Sequence, residues 1–433
     1  MNRHPRVLYL LLGLTCGLVP WLRVARAQEG RGYAEVRASF YPGASGQAWQ
    51  LVERVRPTFD YALTERIKLV TTVEAGLRQG RDLSRELERT LRDSALAPLL
   101  DAAQCRWPSY ENRTLRINDA GDYLDVDRLY LDVYDAAFDL RAGRQALNWG
   151  SAQFFNPTDP FPEVLLAEPW RARRGVNALR LTVPFGDQHD VTAVAATNDT
   201  FREVRAAGRV RLHLWDIDFA AIAAYRGAKR NALAGLDIRG TFGVGYWLEA
   251  AYLFGDTPHE ELAVGIDYSF PILERATAFV QYYRNGAGAT SVSGYARSAS
   301  LNAIAGPECS ADGPLFGPTQ ARDPFAPFVL GRDYIVAGAS LLILPELSHS
   351  LALLQNLNDG TGLLVPTVSY NALDWLDLAL TAQIPYAVHH GGELKPRSRD
   401  LRVSVPTADT TLTADLSGLV SDATVTLWAR ASF

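Results

Sequence analysis

Asp422-Ala423-Thr424-Val425-Thr426-Leu427-Trp428-Ala429-Arg430-Ala431-Ser432-Phe433 closes the chain with an unbroken two-residue alternation. Ala423, Val425, Leu427, Ala429, Ala431 and Phe433 fall on one face. Asp422, Thr424, Thr426, Trp428, Arg430 and Ser432 fall on the other. Successive side chains of a β-strand point to opposite sides, so the segment reads as a strand with one apolar and one polar face.

The same alternation recurs upstream. Ile67, Leu69, Val73, Ala75 and Leu77 oppose Lys68, Thr72, Glu74 and Arg78, and Val204, Ala206, Val210 and Leu212 oppose Arg205, Arg209, Arg211 and His213. Tyr246, Leu248, Ala250, Tyr252 and Phe254 oppose Trp247 and Glu249; Leu262, Val264, Ile266, Tyr268 and Phe270 oppose Glu261, Asp267 and Ser269; Leu376, Leu378, Leu380, Ala382 and Ile384 oppose Asp377, Thr381 and Gln383. A water-soluble sheet would bury such faces under a second layer, and amphipathic helices to supply one are scarce. Lipid is the simplest partner for so many unmatched apolar faces.

Connection lengths make an independent case. Short joints fall near Thr64, Asp135, Pro184-Phe185-Gly186-Asp187, Leu214-Trp215, Phe242-Gly243, Pro271-Ile272-Leu273-Glu274, Pro345-Glu346 and Ala372-Leu373-Asp374. Long connections, about 79–121, 149–175, 286–330 and 385–422, take the other parity. Short turns on one rim and long loops on the other define an all-β, transmembrane, antiparallel up-and-down β-barrel of about eighteen strands, with sixteen also compatible and a further pair conceivable within 400–418. Phe433, ending an apolar-out strand, resembles the assembly signal of bacterial outer-membrane barrels; that resemblance implies the barrel-assembly machinery as a partner.

The composition agrees. The chain has 433 residues, 48% apolar and 21% charged, with a net charge of -5. This balance excludes a general nucleic-acid binder and a polybasic membrane-surface protein. Residues 1–27, with a basic start, an apolar Val7–Leu22 core and Ala25-Arg26-Ala27, read as a secretory signal peptide, leaving 28–433 as the barrel. No later segment approaches the length of a transmembrane helix. Cys105 and Cys309 lie in long polar connections of an oxidising compartment, where they can pair as a disulfide or stay as two thiols. Leu83, Leu87 and Leu91 suggest a short amphipathic helix.

Gly143-Arg144-Gln145, Trp149-Gly150 and Asn156-Pro157-Thr158-Asp159 form the most distinctive local pattern. It resembles a motif of uncharacterised proteobacterial outer-membrane porin-like barrels, and more loosely of alginate-export barrels. The resemblance implies a barrel of this length that passes or exports solutes, with the motif as a structural or constriction element. Physically, Asn156-Pro157-Thr158-Asp159-Pro160 is strong turn chemistry that either steers a loop inward or stabilises it at the rim.

In a pore, function resides in lumen charges and narrowing loops. The candidates are Arg144, Asn156, Asp159, Arg171, Arg173, Arg174, Arg205, Arg209, Arg211, Asp237, Arg239, Glu249 and Asp267. They can set selectivity, or they can pair off and fill the barrel. The run Asp119, Asp122, Asp125, Asp127, Asp132, Asp135 lacks the spacing of a calcium loop, and the histidines lack zinc-ligand spacing. No phosphate-cradling loop or nucleophile elbow is present, so neither an enzyme, a metal site nor a cofactor is expected. The expectation is an outer-membrane channel for passive diffusion or export of small hydrophilic solutes. The alternative is an occluded barrel that binds or assembles a surface polymer.

Overall fold

A computed structural model of the chain describes residues 29–43, 48–81, 93–94, 115–116, 122–161, 173–197, 204–226, 231–255, 258–272, 275–298, 329–389, 391–397, 402–406, 411–415 and 421–433. Residues 1–27, the 83–91 pattern, Cys105, Asp119, Arg171 and Cys309 lie outside them.

Eighteen strands form one closed antiparallel barrel. They are β1 Glu29–Phe40, β2 Trp49–Ala62, β3 Ile67–Arg81, β4 Tyr123–Tyr134, β5 Asp139–Gln145, β6 Val176–Phe185, β7 His189–Thr197, β8 Val204–Leu214 and β9 Ile217–Arg226. The wall continues through β10 Asn231–Phe242, β11 Val244–Phe254, β12 His259–Phe270, β13 Arg275–Asn285, β14 Asp333–Leu344, β15 Leu347–Asn356, β16 Thr361–Leu373, β17 Leu376–Ala387 and β18 Thr424–Ser432. A two-residue bridge, Leu115–Arg116, pairs beside β4 without spanning the wall. The segment 400–418 does hold a strand pair, Arg402–Pro406 with Thr411–Asp415, but it forms a separate two-stranded sheet that is not part of the barrel wall.

β18 pairs with both β17 and β1, so the wall has no free edge whose backbone lipid would leave unsatisfied. At the seam, Gly32 N donates to Phe433 O at 2.7 Å and Phe433 N returns a bond at 2.9 Å. Inside it, Arg430 donates to Glu35 through Nη2 at 2.7 Å and Nε at 3.1 Å, its guanidinium flanked by Tyr33 and Trp428.

The short connections stand at 63–66, 135–138, 186–188, 215–216, 243, 271–274, 345–346 and 374–375, where the turn chemistry marks them. Trp215 and Phe242 project from this rim, 84% and 89% exposed, as an apolar fringe suited to a membrane interface. β3 and β17 run to Arg81 and Ala387, a little past the expected loop starts, whereas β5 stops early at Gln145. Gly143 adopts φ +123, and the Gln145 amide turns back to donate to Ala178 O at 3.0 Å and Arg141 O at 3.2 Å. The chain therefore leaves the wall four residues before Trp149-Gly150.

The two faces follow the alternation. Leu236, Leu248, Val264 and Leu427 are exposed on the outer face, while Trp247, Glu249, Leu253 and Ala263 are buried inside. Large apolar side chains exposed along strand after strand require an apolar solvent, and the bilayer is the one that fits.

Candidate functional site

The second long connection does not stay at the rim. From Ala146 the chain turns into the barrel, and Leu147, Trp149, Ala152, Phe155, Pro157, Thr158, Asp159, Pro160 and Phe161 are all buried there. Two sets of wall side chains hold it.

The first is a pair of carboxylates. Asp237 on β10 and Glu249 on β11 are direct register partners facing inward. Like charges so placed repel, and the loop supplies the compensating donors. Glu249 Oε1 accepts Ser151 N at 2.6 Å and Ala152 N at 2.7 Å, while Oε2 accepts Thr158 N at 3.1 Å and Thr158 Oγ1 at 2.7 Å. Ser151 Oγ donates to Asp237. Hydrogen bonds to an ionised acceptor are roughly twice as strong as neutral ones, and four converge on a carboxylate that is fully buried. Gly150, at φ +88, makes the approach feasible: a Cβ there would stand 2.7 Å from Glu249 Oε1.

The second is Gln281 on β13. Its Oε1 accepts Gln153 N at 3.0 Å and Phe154 N at 3.3 Å, and its Nε2 donates to Phe155 O at 3.0 Å. One amide thus satisfies both donor and acceptor groups of a buried turn.

Apolar packing completes the dock. Phe155 stacks on Tyr283 with ring centroids 4.4 Å apart and touches the Trp247, Ala263 and Tyr334 cluster. Trp149 and Phe161 meet edge to face at 6.3 Å over an inner wall of Ala196, Ala207, Ala220, Ile222 and Leu253. The small wall residues make room for the large loop residues, and each buried aromatic contributes about 1.5–3 kcal/mol.

At the base of the loop, Asp159 N donates to Asn156 O at 3.1 Å, and Asp159 Oδ1 accepts Phe161 N at 3.0 Å. Asp159 also pairs with Arg173, whose Nη1 reaches Leu147 O and Phe161 O at 3.4 Å each. Burial pushes the Asp159 carboxyl upward, against the pull of Arg173. Asn156, Asp159 and Arg173 are thus brought together as the fastening of the loop, with Arg174 half-buried beside them.

A second inward segment, 391–397, reinforces the same side. Glu393 accepts Leu330 N at 2.6 Å, Gly331 N at 3.2 Å and Asn356 Nδ2 at 2.8 Å, and also bonds Tyr334. Burial raises its carboxyl as well. Leu394 and Val329 pack on the cluster that receives Phe155.

The opposite wall is charged and internally compensated. Arg54 lies between Glu35 at 3.2 Å and Glu74 at 3.5 Å, and Arg56 pairs with Asp127 at 2.6 Å. Arg141 grips Asp132 through Nε at 2.5 Å and Nη2 at 2.9 Å. Asp127 and Asp132, from the run tested for calcium, are held by these arginines.

The remaining candidates separate. Arg205, Arg209 and Arg211 share the inner face of β8; Arg209 and Arg211 both bind Asp190, at 3.4 and 2.6 Å, and Arg209 also covers the Trp149 ring at 5.5 Å. Arg239 and Asp267 stand on the inner face toward the turn rim, opposite Trp247 and Gly245 respectively. Glu249 is not wall lining: it is covered by the loop it holds. Arg144 follows Gly143, at φ +123, with Leu129 and Asn177 as register partners, and its Nε is buried. Ser151, Thr158, Gln281, Tyr283, Asp190 and Glu393 were not evident from sequence; the inward-facing alanines of β7–β9 are the one signal that large residues were to be received there.

No protein-family model matches the sequence, and no curated protein matches it. Solved structures do. Pseudomonas aeruginosa OccK5 (OpdH) is similar with a TM-score of 0.51 at 8% identity, covering 94% of this chain and 98% of that one. Acinetobacter baumannii OccAB4 gives 0.53 at 9%, covering 94% and 99%. Wzi, an outer-membrane protein involved in group 1 capsule assembly in Escherichia coli and described as a carbohydrate-binding β-barrel, gives 0.52 at 10%, covering 96% and 87%. At such identities the likeness is one of fold: this chain has the fold of an outer-membrane β-barrel along nearly its whole length.

Proposed function

We propose that this protein is an outer-membrane channel through which small hydrophilic solutes pass by diffusion, inward or outward, without covalent chemistry. The observation that carries the reading is the 146–161 segment, fastened inside a closed barrel by Glu249, Gln281 and Phe155 so that it narrows the passage on one side. The OccK5 and OccAB4 folds support the same reading. Wall charge on the β1–β8 sector then acts on what passes. Export through the 1–27 leader, assembly through the strand ending at Phe433, and a Cys105–Cys309 bridge belong to this proposal.

The second reading, an occluded barrel that binds a surface polymer, draws on the fold of Wzi and on the second inward segment at Glu393. Liposomes carrying the purified protein separate the two. Swelling in sugars up to a sharp size limit supports the channel; no swelling at any size supports the occluded barrel.

A further inference from the structure

The inner wall from β12 through β18 to β1 carries a second pattern, made of hydroxyl groups. Ser269 on β12 is the register partner of Thr277 on β13, Thr277 of Ser340 on β14, Ser340 of Ser350 on β15, and Ser350 of Thr367 on β16. The row continues through Thr381 on β17 and Thr426 on β18 to Ser39 on β1. Eight consecutive strands thus give one inward hydroxyl each to a single register row. Because the strands are staggered around the barrel, the row starts one residue from the turn end of β12 and finishes one residue from the loop end of β1, climbing the wall as it goes round.

The pattern belongs to that row alone. One inward position nearer the loops, β13 to β16 carry Phe279, Gly338, Ala352 and Val365. The sector is also uncharged: across β14, β15 and β16 the one Asp, Glu, Lys or Arg is Asp333, at the loop end on the outward parity, bonded to Tyr282 and Asn358. Exposure falls along the row. Ser269 and Ser340 are exposed, Thr277, Ser350 and Thr367 partly exposed, and Thr381, Thr426 and Ser39 buried. The open stretch therefore runs from β12 to β16, on the turn side of the docked 146–161 segment.

The hydroxyls of Thr277 and Ser340 lie 2.6 Å apart, and those of Thr367 and Thr381 3.0 Å apart. A hydroxyl has one donor and two acceptor positions, so each pair, with one O–H committed between its members, keeps one O–H and spare lone pairs. A surface that both donates and accepts matches alcohols, which do the same, whereas a carboxylate only accepts and an ammonium only donates. Adjacent strands are about 4.8 Å apart, close to the advance of one pyranose unit along an extended glycan. Phe279 adds an apolar platform beside the row: its ring covers Gly338, where a Cβ would collide with it. The C–H face of a sugar packs on an aromatic ring while its hydroxyls bond alongside.

We infer that the row from Ser269 to Thr367 is a hydrogen-bonding track for uncharged, polyhydroxylated chains, with Phe279 as its stacking platform. The inference rests on the channel reading and names the substrate class of that channel, neutral oligosaccharides, held on the wall that faces the charged sector.

Calorimetric titration of the protein in an amine-oxide detergent, which has no sugar headgroup to compete, tests this with maltopentaose and, separately, pentagalacturonate of equal length. The native protein binds maltopentaose the more tightly. Ser340→Ala combined with Ser350→Ala weakens that binding about tenfold, as the loss of two neutral hydrogen bonds requires. Ser350→Thr, which keeps the hydroxyl, binds as the native protein does. Thr182→Val removes a hydroxyl from the pair with Thr192, 3.2 Å apart in the charged sector, and leaves binding unchanged. Heat-modifiable migration verifies that each variant is folded. No maltopentaose binding by the native protein, equal binding by the folded double variant, an equal loss in Thr182→Val, or tighter binding of the uronate overturns the track. Maltopentaose binding without liposome swelling leaves the track standing and defeats the channel reading; swelling in maltose without row-dependent binding defeats the track alone.

Discussion

Ser151 and Glu249 join a loop to a wall nearly a hundred residues away: the Ser151 backbone N–H donates to Glu249 Oε1 at 2.6 Å while its hydroxyl binds the register partner Asp237. A single loop residue thus donates to two facing carboxylates. The constriction and the wall are mutually dependent, since the hydrogen bonds to Glu249 come from the loop and the loop backbone lacks acceptors without that carboxylate.

Gly150→Ala breaks this approach. An L-residue at φ +88 is strained by roughly 1–2 kcal/mol, and the added Cβ meets the Glu249 carboxylate. The expected outcome is an intact barrel whose 146–161 segment is undocked, seen as new limited-proteolysis sites there with heat-modifiable migration retained.

Leu236→Arg tests the membrane exposure of the outer face. On a water-exposed surface this 57%-exposed leucine would tolerate the change. In mid-strand within a bilayer it costs about 2–4 kcal/mol, lowering the urea midpoint of folding into lipid vesicles. An unchanged midpoint would place the residue outside the lipid belt.

Glu35→Gln tests the seam. Glu35 is buried and receives both Arg430 and Arg54, so removing its charge strands the Arg430 guanidinium and leaves Arg54 to Glu74. A loss of about 3–5 kcal/mol is expected from breaking such a buried pair. The urea-unfolding midpoint of the folded band on gels should fall accordingly.

Much of the barrel was legible because strand alternation is a local property: each residue's face is fixed by its neighbours, and a turn needs only two to four residues to declare itself. The lumen was not local. Glu249 and Asp237 read as wall charges, Gln281 carried no signal, and nothing in their own strands shows that residues 151–158 return to them. The face of Arg144 was not readable for a related reason: Gly143 at φ +123 interrupts the alternation from which a face is read. Asn156-Pro157-Thr158-Asp159-Pro160 announced a turn, but whether it turns inward depends on the alanines of the wall it packs against.

The inward segments should respond to pH in a defined direction. Asp159 and Glu393 both have carboxyls raised by burial above their ordinary values of 3.8 and 4.5. The docked state therefore binds protons more readily than a released loop. That contribution is full below the ordinary values and is lost as pH rises through the raised ones. Hydrogen exchange of 146–161 and 391–397 should slow as pH falls from neutral into that window, after correction for intrinsic exchange. Faster corrected exchange on acidification would contradict the assignment.

The most direct measurement is single-channel conductance of Glu249→Ala against the native protein in planar bilayers. Removing the carboxylate leaves four loop donors without their acceptor, at about 1–3 kcal/mol for each group left buried and unpaired, which is enough to free the loop. The account predicts a folded variant with larger, noisier conductance steps. A folded variant with a proteolytically released loop and native conductance would contradict it, because the 146–161 segment would then not be what narrows the passage.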